Sequence, residues 1–277
     1  MAWQQTDEDL LSILDQISDI FSRFEQPNCK SIIDSIKIEL ENGVTVKKID
    51  KNSITSKYKA LQTKFVHEFS STTQRTNVIS MLQQSMTETI TKNNVEMQHV
   101  FNEPNVVEII SRRSYAYRVL SIFRQVIWNG AKTDEERMIG LSYVYLNLVD
   151  GIFRNALKIC FIWQQLSRKE QVDTKTISDI SVYDIYKYFN KNGLPMHYLD
   201  GWNGYVRNAV AHTTFQYDSS KNEAVYDDLI ANKTVKLWLG QLIEMCDKLW
   251  NVYGAVFLFT QFTRINDVCF TLCDRYP

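Results

Sequence analysis

The chain has 277 residues, 44% hydrophobic and 23% charged, with a formal net charge of −1. It is long enough to bury the core of one large domain or two modest ones. Near-neutrality excludes nucleic-acid binding through an overall basic surface, so any contact with phosphate must be local. Nine Gly and four Pro exclude a turn-rich all-β or low-complexity chain and favour helices.

Residues Met1 to Asp9 contain no basic segment followed by an apolar one, so no secretory signal is read and a cytoplasmic location is expected. Leu10, Leu11, Leu14, Ile17, Ile20, Phe21 and Phe24 then form an apolar stripe at helical spacing that ends near Pro27. Ile32, Ile33, Ile36 and Leu40 continue as a second helix stopped by Asn42-Gly43. The same stretch also alternates through Ile36, Ile38, Leu40, Val44 and Val46, so a hairpin across Asn-Gly stays open. Two more helices fit between Ser53 and Thr91, one with Leu61, Phe65 and Phe69 on its apolar face, the other with Val78, Met81, Leu82 and Met86. After Pro104 a further pattern runs from Val106 through Tyr117 and Phe123 to a stop at Asn129-Gly130.

Thr133 with Glu136 three residues on is a capping box, and Asp134 and Glu135 suit the positive end of a new helix. It marks the expected domain boundary, residues 1–129 forming a helical region of unassigned role and 130–277 a four-helix bundle. The new helix runs to about Leu166 through Met138, Leu141, Tyr145, Leu148, Ile152, Cys160 and Trp163. A shorter helix spans Val182 to Phe189. Another begins near Pro195 and carries Leu199, Trp202 and Val206 toward Arg207. Thr213 to Tyr217 and Glu223 to Tyr226, around Asp218-Ser219-Ser220, read as a β-hairpin, and the last long helix starts near Thr234. The fold class expected is all-α, a helical bundle with a small β-hairpin inserted after the motif helix.

Cys29, Cys160, Cys246, Cys269 and Cys273 lie mostly in apolar runs and read as buried free thiols. No His or second Cys pair completes a metal set near Cys269 and Cys273, so neither a metal nor a cofactor is expected. Leu249 to Thr263 is uncharged but shorter than the ~20 residues of a membrane span, so no membrane partner is expected. Lys47, Lys48, Lys51, Lys57, Lys59 and Lys64, with Arg112, Arg113, Arg118 and Arg124, are the clearest basic positions and read as solvated helix faces.

The chemistry concentrates in Arg207-Asn208-Ala209-Val210-Ala211-His212. Arg followed five residues later by His is weak as a spacing. Its weight comes from Asn208 directly after the arginine and from its place at a helix end before a hairpin. Histidine can take or give a proton near neutral pH. Arginine can stabilise a developing phosphorane through paired hydrogen bonds, and asparagine can bind a phosphate oxygen or orient the imidazole. On an ideal helix Arg207 and His212 point ~140° apart. Either the helix unwinds near Ala211, or the arginine wraps round, or a second protomer completes the site. Asp150 and His197 are secondary candidates, Asp150 as a carboxylate facing the motif. Phe153-Arg154-Asn155-Ala156 echoes the motif, but Ile159 stands where the histidine would be.

Tyr205 to His212 resembles the Arg-polar-x-x-x-His signature of the HEPN superfamily, and the resemblance covers roughly residues 130–277. It implies a metal-independent RNA endonuclease with a composite site in a homodimer, acting in toxin-antitoxin or antiviral defence under an antitoxin or regulatory partner. A non-catalytic HEPN-type dimerisation or partner-binding protein is the alternative. The bland reading of the same residues is that Arg207 pairs with an acid and His212 caps a helix end.

Overall fold

The computed structural model describes residues 6–23, 27–69, 73–111 and 113–277. These fold mostly as α-helix with one small antiparallel sheet, and they divide into two compact units, Met1–Thr76 with Phe257–Pro277, and Asn77–Val256. Residues 129 and 130 therefore lie within the second unit, at the end of a helix.

The first unit contains α1 (Asp7–Arg23), α2 (Pro27–Val46) and α3 (Lys51–Phe69), together with the last part of α12 (Leu239–Arg275). Leu10, Leu14, Ile17 and Phe21 are fully packed, as the stripe predicts, and Phe65 of α3 lies between Phe21 and Phe262, with ring centroids 6.2 and 4.4 Å away. Phe24 lies outside the described residues, as does the side chain of Phe69.

Asn42-Gly43 is no turn. It lies inside α2, which ends only after Val46. Lys47 then adopts the left-handed conformation at φ 59°, and the Lys48 N–H returns to the Gly43 carbonyl at 2.9 Å. The glycine is needed for close approach, because a Cβ there would stand 2.3 Å from Ile49 Cγ1. A hairpin signal and a helix-end packing requirement thus use the same residue type.

The second unit takes in most of α4 (Thr73–Asn102), then α5 (Pro104–Ser111) and α6 (Arg113–Gly130), so the pattern after Pro104 is carried by two helices. The side chain of Tyr117 is outside the described residues. The Thr133–Glu136 capping box is present and starts α7 (Asp134–Asn147). Six residues of π-helix, Leu148–Phe153, join α7 to α8 (Arg154–Ser167). Next come a single turn, α9 (Thr174–Ile177), then α10 (Val182–Lys191) and a 3₁₀ turn, Met196–Leu199.

The helix expected from Pro195 onward is interrupted. The motif helix α11 covers only Gly204–Ala211, because Gly201 takes φ 86° and Asn203 caps a fresh start by accepting from the N–H groups of Tyr205 and Val206. Three strands follow, β1 (Phe215–Asp218), β2 (Glu223–Asp228) and β3 (Lys233–Trp238), in the order β1-β2-β3. The expected hairpin is β1 and β2, with Phe215 opposite Tyr226. Residues 233–238, read as helix from Thr234, form a third strand instead. Thr234 and Val235 are β-branched, and Leu237 is buried while its neighbours Lys236 and Trp238 are exposed. The helix therefore begins at Leu239. In α12, Val252 to Phe262 are buried without a break, the pattern of a helix enclosed on all sides, and among the described residues no helix is long and apolar enough to cross a membrane. All five cysteines are buried.

Candidate active site

α11 is an amphipathic helix whose inner face, Val206, Ala209 and Val210, is buried. Its position is set from α7 by Tyr145, which is fully buried. The Tyr145 hydroxyl accepts the Asn203 N–H at 2.7 Å and donates to the Gly201 carbonyl at 3.1 Å. Gly201 allows this approach, since a Cβ there would stand 2.6 Å from the Met245 carbonyl oxygen. The loop that starts the motif helix is thus pinned before the helix begins.

Arg207 leaves α11 toward the π-helical turn. Its Nε and Nη2 donate to the two Asp150 oxygens at 2.9 and 2.7 Å, a bidentate pair, and Nη1 donates to Asn208 Oδ1 at 3.1 Å. These bonds to Asp150 hold Arg207 charged and push its pKa above the ordinary arginine value, against the desolvation of a half-buried site. Of the five N–H groups of a guanidinium, three are engaged among the described residues, leaving one on Nη1 and one on Nη2. Asp150 lies in the π-helical turn, a distortion frequent at functional sites.

Asn208 continues the chain of contacts. Its Nδ2 donates at 2.9 Å to Oδ2 of Asp228, the last residue of β2 and 3% exposed. Burial raises the Asp228 pKa, but the N–H of Ala231, the Asn208 amide, the N–H of Ile230 and the charge of His212 outweigh it, and the carboxyl titrates below its ordinary value.

His212 stands just past the helix as its C-cap, at φ −97° and ψ 2°, and is exposed. Thr213 follows in the left-handed region at φ 58°. Its N–H bonds to the Val210 carbonyl at 3.1 Å, and that of Thr214 to the Ala209 carbonyl at 2.8 Å, which is the Schellman pattern of a helix end. The helix therefore stops at Ala211. Among the described residues the imidazole makes no hydrogen bond.

The structure thus brings together Asp150, Arg207, Asn208 and Asp228 in one hydrogen-bonded chain, with His212 at the end of the same helix. His197 is not joined to it. It lies on the 3₁₀ turn, with Nδ1 3.4 Å from Asp200 Oδ2. Arg154, the echo of the motif, is used structurally and donates to the carbonyls of Asp179 and Ile180 at 2.7 and 2.9 Å. Of the basic positions, Lys51, Lys57 and Arg124 form ion pairs with Asp274, Glu39 and Asp247. Arg112 and the side chains of Arg113 and Arg118 lie outside the described residues.

Asp228 was not singled out from the sequence, although β2 carries a signal for it. The alternation that buries Ala224 and Tyr226 buries Asp228 with them, and a carboxylate on the inner face of a strand needs partners.

Compared with known proteins, the chain matches no family model, no curated protein and no solved structure.

Proposed function

We propose that the protein is an RNA endonuclease of HEPN type, cutting by attack of a ribose 2′-hydroxyl on the adjacent phosphate. The observation that carries this reading is that one short helix carries a guanidinium already oriented by Asp150 and Asn208 and, at its C-cap, an exposed imidazole that makes no hydrogen bond among the described residues. Two guanidinium N–H groups remain for a phosphate oxygen pair.

In this reaction a base takes the 2′-hydroxyl proton, O2′ bonds to phosphorus, and the 5′-oxygen leaves with a proton. The products are a 2′,3′-cyclic phosphate and a 5′-hydroxyl. His212 serves as base or acid, Arg207 offsets the added negative charge of the phosphorane, and Asp150 keeps the guanidinium plane fixed. No step draws on a metal. A homodimer, which the resemblance implies, supplies a second His212 so that one imidazole accepts a proton while the other donates. Val119, Ile122, Phe123 and Val126 support a dimer, since they recur at helical spacing on α6 and are 42–62% exposed. The setting proposed is cytoplasmic toxin-antitoxin or antiviral defence, with an antitoxin or regulatory protein as restraint.

Purified protein is expected to cut single-stranded RNA in the presence of a chelator, and His212→Ala is expected to lose ~10²–10⁴-fold in rate. Equal cutting by parent and His212→Ala would sink the proposal.

One observation favours a second reading, a non-catalytic partner-binding protein. The Asp150 pair and the C-cap position are what Arg207 and His212 would adopt as structural residues. On that reading His212→Ala alters partner affinity or stability and no RNA is cut.

A further inference from the structure

Asp228 sits where the motif helix meets the sheet. All three of its hydrogen-bond donors are neutral. Asn208 Nδ2 donates to Oδ2 at 2.9 Å, and the N–H groups of Ile230 and Ala231 each donate to Oδ1 at 3.0 Å. A carboxylate removed from water costs free energy unless it is well bonded, so one that is 3% exposed and turned toward the motif invites a functional reason. The residue before it is tied to the segment after His212. Thr214 Oγ1 donates to the Asp227 carbonyl at 2.5 Å, and the Asp227 N–H donates to the Thr214 carbonyl at 2.9 Å. The end of β2 and the end of α11 are therefore held as one piece.

Asn208 can serve Arg207 only in one amide orientation. Its oxygen must face Nη1 and its nitrogen must face away. An acceptor on the far side that cannot donate, an ionised carboxylate, selects that orientation, whereas a solvent-exposed amide would turn freely.

We propose that Asp228 is the positioning residue of this site, selecting the amide orientation of Asn208 that fixes Arg207 against the phosphate. The inference rests on the reading of Arg207 and His212 as the reacting pair. Asp228 touches neither substrate nor reacting atoms and acts through Asn208. Its Oδ1 also organises the β2–β3 turn, so the same carboxylate joins the turn Leu229-Ile230 to the motif.

The test uses the full chain with Asp228→Asn, which keeps an acceptor for the turn but brings a donor to the Asn208 amide. For single-stranded RNA, kcat is expected to fall about tenfold or more with KM within about twofold, since the loss lies in the chemical step. In NMR spectra, the Arg207 Nε–H and Asn208 side-chain amide signals are expected to move and to exchange faster with water. A parent-like kcat with both signals unmoved overturns the inference. If the parent itself cuts no RNA, the proposed function fails, and the NMR signals alone decide whether Asp228 orients the pair. If Asp228→Asn does not fold, Asn208→Ala leaves the turn intact and takes its place. The same fall in kcat with a shifted Arg207 Nε–H supports the link, and a parent-like rate with that signal unmoved overturns it.

Discussion

Thr213 carries the clearest backbone strain near the motif. A β-branched residue is rarely found in the left-handed region, yet the Schellman ending needs one residue there, and the position usually belongs to glycine. Thr213→Gly is therefore expected to stabilise the protein by about 0.5–1 kcal/mol, the left-handed penalty relieved being partly offset by the greater freedom of glycine in the unfolded chain. Thermal unfolding checks this, and an unchanged or lower midpoint contradicts it. Asp150 gives a second residue-scale prediction. Asp150→Ala removes two of the three bonds that hold Arg207, and RNA cleavage is expected to fall by up to ~100-fold through misplacement of the guanidinium. A rate unchanged in that variant would mean that the pair is structural only.

At the scale of elements, the motif helix is too short to place itself. Eight residues are marginal as an isolated helix, so α11 depends on Asn203 at its start, on Val206, Ala209 and Val210 beneath it, and on Tyr145. Tyr145→Phe leaves the Asn203 N–H and the Gly201 carbonyl without that partner, and a loss of about 1–3 kcal/mol is expected in urea unfolding. The break before α11 explains why the helix expected from Pro195 is absent. A left-handed Gly201 and an Asx cap are local signals, but they act here because Met245 crowds the glycine and Tyr145 holds the loop. The π-helical turn was also not legible. Met138, Leu141, Tyr145, Leu148 and Ile152 read as an ordinary helical stripe, with nothing in their spacing to mark the distortion.

At the scale of the whole molecule, the buried ionisable groups set the pH response. Lys158 is 4% exposed and donates to the Ser178 carbonyl at 2.6 Å. Burial, with Arg154 beside it, lowers its pKa to about 8. Below pH 8 both folded and unfolded chains hold the proton, and the folded state carries the cost of a buried cation. Between about 8 and the unfolded value of ~10.4 the unfolded chain holds the proton and the folded chain does not, so this group raises stability as pH rises. Comparing urea midpoints of the parent and Lys158→Met from pH 7 to 10 isolates it, and the parent should gain on the variant through that window. Burial likewise lifts the Cys246 and Cys269 thiols to about 12, so neither is expected to react readily with alkylating reagents in the native state.

What the sequence determined by itself is what short-range chemistry decides. The apolar stripes of Leu10 to Phe21 and Met138 to Trp163, the capping box at Thr133 and the hairpin after His212 are all written in spacing and residue type. Tertiary structure decided the rest, because the deciding partners lie far along the chain. It kept Asn42-Gly43 in a helix, since Ile49 packs on the glycine, and it made a strand of residues 233–238, since β2 offers an open edge. It also drew Arg207 into a chain that runs from Asp150 through Arg207 and Asn208 to Asp228, with His212 beside it as the C-cap of the same helix. Asp150 and Asp228 come from elements 57 and 20 residues away from the groups they bind, and only folding converts that distance into hydrogen bonds.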